Sequence, residues 1–176
     1  MKSLLLAAVI TVPFAFTSVA FAAGGGDETA PTKPKCKTGE VYDKELKSCV
    51  VAREGALDTQ GFYENVRELA YAGRYTEAQN VLAFMPQDDD RTLTYMGFTN
   101  RKLGEMDMAM SFYAQALAVN PSNILARSYM GQGLVEQGQM KQAMAQLRAI
   151  RSHGGSGTWA EASLRTAIAT GQTFNY

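Results

Sequence analysis

The sequence predicts an all-α fold, a solenoid of about three helix-turn-helix repeats closed by a C-terminal capping helix and preceded by a small disulfide-stapled hairpin. Three observations predict it. A set of residue types recurs every 34 residues in the second half of the chain. The two cysteines lie close together in sequence. An apolar N-terminal stretch ends in small residues, which places the chain in an oxidising compartment where cysteines pair.

The first element is an export signal. Lys2 supplies a positive start, residues 4–19 are apolar, and Ala20-Phe21-Ala22 has the small-x-small pattern that a signal peptidase accepts. A retained membrane anchor is the alternative, but the apolar run is short and contains Pro13. We therefore predict a signal peptide over residues 1–22 and an exported protein, periplasmic or secreted, with no stable membrane insertion after cleavage.

A linker and a hairpin follow. Residues 23–35 are polar and rich in glycine, with almost nothing to bury, which is typical of a flexible linker. Residues 36–51 contain two short strand patterns around a polar turn. A disulfide between Cys36 and Cys49 would contribute about 3 kcal/mol, enough to hold a hairpin that has no core of its own. A metal site is the alternative use of the two thiols, but the single histidine, His153, lies far along the chain.

The hairpin carries a partial family pattern. Its residues Cys36, Gly39, Tyr42, Asp43 and Cys49 resemble one hairpin of the peritrophin-type chitin-binding module. The resemblance implies contact with carbohydrate, so binding of envelope polysaccharide or peptidoglycan is an alternative function. A hairpin with a purely structural role is the other interpretation.

Helical periodicity begins near residue 58 and repeats. The pairs that share one residue type at a spacing of 34 are Tyr95 and Tyr129, Met96 and Met130, Gly97 and Gly131, Gly104 and Gly138, Met106 and Met140, and Ala109 and Ala143. A shorter version precedes them, in Phe62, Val66, Leu69, Gly73, Tyr75, Ala78, Leu82 and Met85, and it is closed early by Pro86. Coincidence at one fixed spacing indicates repeated structural units.

The spacing and residue types resemble the tetratricopeptide repeat over residues 58–152. The resemblance implies two antiparallel helices in each unit. Gly97 and Ala109 lack bulk, so two helix backbones can approach closely, and Gly104 can adopt the left-handed angles that end a helix. Asn120-Pro121 is expected to end the second helix of its unit.

A capping helix is predicted over residues 158–170. Thr158 with Glu161 three residues later is typical of a helix start. An apolar stripe is expected from Trp159, Ala162, Leu164 and Ile168, with Trp159 in the core. Such a helix would cover the stacking face that the last repeat of a solenoid exposes.

Charge and single residues argue against several functions. Acidic and basic side chains balance, so no net positive field favours nucleic acid. His153 lies in a glycine-rich loop, and Gly154-Gly155-Ser156-Gly157-Thr158 fails the nucleophile-elbow motif at its last position. We therefore predict a protein that is not an enzyme and that uses no cofactor.

Two further clusters suggest metals but have simpler explanations. Asp88-Asp89-Asp90 lacks the register of a calcium loop and is expected to face the positive end of a helix. Met106, Met108 and Met110 could select Cu(I) through thioether ligands. The repeat instead assigns Met106, Met110, Met140 and Met144 to core packing. No metal site is predicted.

The remaining candidate is a binding surface. In the family, the first helices of successive repeats line a concave groove that receives a protein or peptide. Carried onto this chain, the resemblance implies partner contacts from Tyr63, Arg67, Arg91, Thr94, Tyr95, Phe98, Arg101, Ser128, Tyr129 and Gln132. Tyrosine and arginine often dominate binding, although Tyr95 and Tyr129 fit equally well as packing residues. The expected function is that of a non-catalytic adaptor or assembly factor of the bacterial periplasm or cell envelope, and self-association through solenoid ends stays open.

Overall fold

The computed structural model describes residues 35–174, which form two short strands followed by seven helices. The predicted signal peptide and residues 23–34 of the predicted linker lie outside the described residues. Among the described helices, none combines the length and the hydropathy that a membrane span requires. The elements are β1 Glu40–Asp43, β2 Ser48–Val51, α1 Thr59–Tyr71, α2 Tyr75–Leu82, α3 Asp90–Lys102, α4 Met106–Val119, α5 Ile124–Glu136, α6 Met140–Ser152 and α7 Trp159–Thr170.

The predicted hairpin and its disulfide are confirmed. Strands β1 and β2 pair antiparallel, with Val41 opposite Val50 and Tyr42 opposite Cys49. Cys36 is bonded to Cys49, and their Cα atoms lie 5.6 Å apart. The bond therefore joins the second strand to the segment that leads into the first.

The hairpin packs against the first helices. Val41 is completely buried in the main hydrophobic cluster, which also contains side chains of α1 and α2. The Asn65 side chain of α1 binds the backbone of Tyr42 twice: its Oδ1 accepts from the Tyr42 N–H at 2.6 Å, and its Nδ2 donates to the Tyr42 carbonyl at 3.0 Å. Arg74 Nη1 adds a hydrogen bond to the Cys36 carbonyl at 3.1 Å. The hairpin thus covers the N-terminal end of the helical part, a packing role that the sequence pattern did not predict.

The helices recur in pairs at the predicted spacing. Asp90 and Ile124, which begin α3 and α5, are 34 residues apart, and so are Met106 and Met140, which begin α4 and α6. The first pair is shorter, because α2 has 8 residues whereas α4 has 14 and α6 has 13. The shortened first unit and the helix ends near Pro86 and Asn120 agree with the sequence pattern.

The two helices of each pair pack against each other, α1 with α2, α3 with α4 and α5 with α6, and each pair also contacts the helix that follows it. The odd-numbered helices also contact each other in order, α1 with α3, α3 with α5 and α5 with α7. The main hydrophobic cluster joins α1 to α5, and a second cluster joins α5, α6 and α7. One face of the molecule is therefore formed by the row of odd-numbered helices.

Local chemistry sets the helix ends. The odd-numbered helices begin at side-chain caps, of which Asp89 accepts from the N–H groups of Arg91 and Thr92, and Thr158 accepts from that of Glu161. The predicted roles of the aspartate run and of Thr158 are thereby confirmed. Gly104 follows α3 with φ of 91°, the left-handed conformation expected for it. Glu161 also accepts from the Gly157 N–H and from Arg151 at 2.8 and 2.7 Å, and these bonds lower the pKa of its carboxyl group.

Two packing predictions are wrong. Trp159 is 39% exposed because the buried stripe of α7 runs through Ala160, Ser163, Leu164 and Ala167, and of the four residues expected in it only Leu164 is fully buried. Met140 and Met144 are exposed rather than core. Met106 and Met110 of α4 instead lie beside Gly133 of α5 and are partly buried.

Candidate functional site

The four aromatic members of the predicted contact set lie close together across the odd-numbered helices. An aromatic row crosses the odd-numbered helices, with ring centroids 5.6 Å apart for Tyr63 and Tyr95, 6.4 Å for Tyr95 and Tyr129, and 6.1 Å for Tyr129 and Trp159. The ring centroid of Phe98 lies 4.7 Å from the ring centroid of Tyr129. The row joins α1, α3, α5 and α7 into one surface.

Most of the ten predicted contact residues are buried beneath that surface. The buried members are Thr94, Tyr95, Phe98, Arg101, Ser128, Tyr129 and Gln132. Tyr63, Arg67 and Arg91 keep accessible surface. A partner that docks on the structure as it stands can therefore contact the last three, whereas the seven others pack between helices.

The buried polar members are held by neighbouring helices. Thr94 Oγ1 donates to the Asp90 carbonyl at 2.6 Å and accepts from Asn123 Nδ2 at 3.0 Å. Ser128 Oγ lies 3.1 Å from Ser163 Oγ of α7. Gln132 Nε2 donates to the Ser128 hydroxyl at 3.4 Å. The bond from Asn123 to Thr94 joins α3 to the start of α5, and the contact between Ser128 and Ser163 joins α5 to α7, whereas the other two bonds lie within one helix.

Arg101 forms a buried ion pair. Its side chain has no exposed surface, and Nη1 lies 2.7 Å from Glu136 Oε1 of α5. Within the described residues, Nε and Nη2 of Arg101 and the Tyr113 hydroxyl find no hydrogen-bond partner. Burial raises the pKa of Tyr113, and burial together with the Arg101 charge lowers the pKa of Lys102 to about 8. This end of α3 is therefore a costly polar site inside the fold.

An open groove lies at the other end of α3. It has a volume of about 350 Å³. Its lining residues are Tyr63, Asp90, Arg91, Thr94, Tyr95, Asn120, Ser122, Asn123, Ile124 and Leu125. We call this the α1–α3–α5 groove. It combines a tyrosine and a guanidinium group with the apolar side chains of Ile124 and Leu125.

Arg91 is positioned over Tyr63 in this groove. Its guanidinium carbon is 4.9 Å from the centre of the Tyr63 ring, a cation–π arrangement. Arg91 Nη1 donates to Gln60 Oε1 at 3.0 Å, and Nε lies 3.5 Å from Asp89 Oδ1. These contacts hold the cation at the groove edge, where it remains partly accessible. Such a site suits a peptide with a carboxylate or backbone carbonyl near an apolar side chain.

Six of the ten groove residues were not predicted from the sequence, among them Asp90 and the two asparagines that bind it. Asp90 accepts from Asn120 Nδ2 at 2.7 Å and from Asn123 Nδ2 at 2.8 Å. The two amides fix the α4–α5 connection against the start of α3 and so form one wall. The sequence pattern identified Asn120 only as a helix end, because a contact across 30 residues leaves no local signal.

A serine–histidine contact occurs at the edge of this groove, because Ser122 is one of the lining residues. Ser122 Oγ lies 3.2 Å from His153 Nδ1, and Arg127 Nη2 lies 3.4 Å from His153 Nε2. Since arginine can only donate, Nε2 must accept and the proton of a neutral ring is on Nδ1. Ser122 then accepts from the ring, the reverse of the direction that activates a nucleophile. In the part of the chain that the structure describes, no group of three or more His, Cys, Asp or Glu residues could hold a metal ion.

No protein-family model matches the chain, and no curated protein shows significant similarity to it.

Proposed function

We propose that the protein is a non-catalytic adaptor of the tetratricopeptide type, which binds an extended segment of a partner protein in the α1–α3–α5 groove. The observation that supports this most directly is the groove itself. Tyr63 and Arg91, two residues chosen for partner contact from the repeat pattern, meet there at 4.9 Å beside Ile124 and Leu125. The recurrence of helix pairs at 34 residues supports the same assignment.

The groove favours a peptide over a small polar metabolite. Its walls come from three helices, it is open to solvent, and its polar groups are mostly already satisfied, as for Asp90. An open, shallow surface gains affinity from many contacts along a chain rather than from enclosure of one small molecule. The proposed site of action is the bacterial cell envelope, which is supported by the Cys36–Cys49 disulfide. Glycan binding by the hairpin stays a prediction.

Site-specific photocrosslinking tests the proposal. Benzoylphenylalanine at position 63 places a reactive ring in the groove, and the same residue at position 148, an exposed position on α6, is the matched control. Exposure to light in the producing cells is expected to give a discrete protein adduct from position 63. In that background, Arg91→Ala is expected to reduce the adduct about tenfold, the effect of removing about 1.4 kcal/mol of binding.

Arg148→Ala in the same background serves as the charge-matched control and is expected to leave the adduct unchanged. Equal adducts from positions 63 and 148 would show that position 63 has no special access to a partner. An adduct insensitive to Arg91→Ala would remove the cation from the proposed contact.

A further inference from the structure

The C-terminal segment returns to the row of odd-numbered helices after α7 ends. Gly171 adopts φ of 75°, the left-handed conformation that ends a helix, and its N–H donates to the Ala167 carbonyl. Residues 172–174, which we call the tail segment, then reach α5. The tail segment has no helix or strand structure of its own.

Two hydrogen bonds attach the tail segment to α5. The backbone N–H of Phe174 donates to Gln132 Oε1 at 2.8 Å. The Thr173 hydroxyl donates to Glu136 Oε1 at 2.6 Å. Gln132 and Glu136 are one helical turn apart and so present their acceptors in a row along α5. The tail segment therefore lies along α5 as a ligand of that helix.

Gln132 is suited to recognising a backbone. It is completely buried, and its Nε2 is directed to Ser128, so the orientation of the amide is set by the fold. Its Oε1 is thereby left to accept from the tail segment. A fixed amide oxygen that accepts a hydrogen bond from a main-chain N–H can bind an extended chain whatever side chain that position carries. Gln132 was also among the residues that the repeat pattern assigned to partner contact.

The Glu136 carboxylate links the tail segment to α3. The same Oε1 atom accepts from Thr173 and from the buried Arg101. Bonds to an ionised group are stronger than bonds between neutral groups. The α1–α3–α5 groove begins at Arg91 and Thr94 on α3, and Arg101 lies about 15 Å further along the same helix at 1.5 Å per residue. The tail segment and the groove thus occupy opposite ends of one face.

We infer that the tail segment is an intramolecular ligand of this face, and that an extended partner segment running from the groove to Gln132 must displace it. The partner segment would present a backbone N–H to Gln132 and a preceding serine or threonine hydroxyl to Glu136. The identity of the competing ligand, an extended segment of a partner protein, rests on the proposed function. The tail contact itself is independent of that function.

The first test uses the tail as its own probe. The probe is a synthetic peptide with the sequence of residues 171–176, added to the full chain and to a chain that ends after Gly171. Binding is followed by NMR at the side-chain amide of Gln132. The shortened chain is expected to bind the peptide at least tenfold more tightly, because in the full chain the covalently attached tail competes at high effective concentration.

A matched control peptide carries Thr173→Val and an N-methyl group on the Phe174 amide nitrogen. It keeps the size and the aromatic side chain but lacks both donors, and it is expected not to bind. Equal affinity of the two peptides would overturn the assignment of the two hydrogen bonds. Equal affinity of the full and shortened chains for the tail peptide, or the absence of binding to both, would overturn the intramolecular ligand.

A second variant covers the case in which the shortened chain does not fold. The full-length chain with Thr173→Val and Phe174→Pro loses both donors and keeps its length. It is expected to bind the tail peptide as the shortened chain does, whereas Gln172→Ala, whose side chain is exposed, is expected to behave as the wild type. Failure of this variant to bind would contradict the inference.

The outcomes separate this inference from the proposed function. Loss of peptide binding with a persistent adduct at position 63 would remove the tail ligand and keep the groove. Peptide binding without any adduct at position 63 would keep the tail ligand and remove the proposed partner site.

Discussion

Replacement of Gly97 by alanine tests the closest helix contact in the repeat. A Cβ atom at Gly97 would lie 2.5 and 2.6 Å from Cε1 and Cδ1 of Tyr113, where ordinary contacts begin at 3.4 Å. Tyr113 is completely buried, and its ring cannot bend away as the tip of a flexible side chain can. Either the ring or the α3 backbone must therefore move by nearly an ångström.

Two effects of opposite sign set the expected magnitude. Alanine in a helix interior is more favourable than glycine by about 1 kcal/mol. Overpacking a filled core costs about 1–3 kcal/mol, and the rigid ring places this site at the upper end. The expected net loss in the free energy of unfolding for Gly97→Ala is about 2 kcal/mol, or about 6 °C in the melting temperature for a chain of this size.

A second glycine and a second background provide the controls. A Cβ at Gly131 would meet Cδ2 and Cδ1 of Leu164 at 2.5 and 2.7 Å, but leucine methyl groups can rotate away. Gly131→Ala is therefore expected to change stability by less than about 1 kcal/mol. In a Tyr113→Ala background the clash is gone, so Gly97→Ala is expected to stabilise by about 1 kcal/mol.

Urea unfolding followed by circular dichroism at 222 nm measures all five proteins. The cycle of Gly97→Ala with Tyr113→Ala isolates the coupling between the two positions. If Gly97→Ala destabilises equally in both backgrounds, the close approach to the ring is not its cause. A larger loss for Gly131→Ala than for Gly97→Ala would refute the argument from side-chain rigidity.

Three further predictions concern the hairpin and the charged residues. Reducing the bond between Cys36 and Cys49 is expected to cost about 3 kcal/mol and to speed amide exchange in residues 40–51; a rate unchanged there would contradict it. The hydrogen bond from Arg74 holds the pKa of Glu77 at about 2, below the ordinary 4.5. The contribution of this ion pair to the stability of the fold is therefore complete above pH 4.5 and disappears as the pH falls towards 2. Glu77→Gln should therefore be less stable than the wild type at pH 6 and equal to it near pH 2; an equal gap at both would exclude the ion pair. Burial lowers the pKa of Lys102 to about 8, so the unfolded state binds more protons between pH 8 and 10.5 and stability rises with pH there. Lys102→Met should remove that rise and add about 1 kcal/mol at pH 7, and urea titrations that still show the rise would contradict this.

The sequence predicted those parts of the fold that repeat or that depend on local chemistry. The helix starts at Asp90, Met106, Ile124 and Met140 follow the 34-residue period. The Thr158 cap and the left-handed Gly104 depend on a few neighbouring residues only. Such features leave a signal within one helical turn or one repeat, so they can be read without knowing the packing.

The site was predicted less completely, because burial depends on how closely neighbouring helices approach. Periodicity places Tyr95 and Tyr129 on the groove side of their helices, and the rings do lie on that face. It cannot show that α1, α5 and α7 close over them and leave them with no accessible surface. The bonds from Asn120 to Asp90 and from the tail segment to Gln132 span 30 and 42 residues with no periodic relation. They could not be predicted from spacing.

The two non-repeating ends of the described chain bind the helices by the same chemistry. At the N-terminal end, Asn65 of α1 pairs with both the N–H and the carbonyl of Tyr42 in the hairpin. At the C-terminal end, Gln132 of α5 accepts from the N–H of Phe174. In both cases a buried amide on an odd-numbered helix binds the main chain of an extended segment. An unpaired buried amide costs free energy, so each helix is more stable when an extended chain lies against it. Recognition of extended backbone is therefore already part of how this protein folds, and a partner segment that displaces the tail segment from Gln132, as proposed above, would use the same kind of contact.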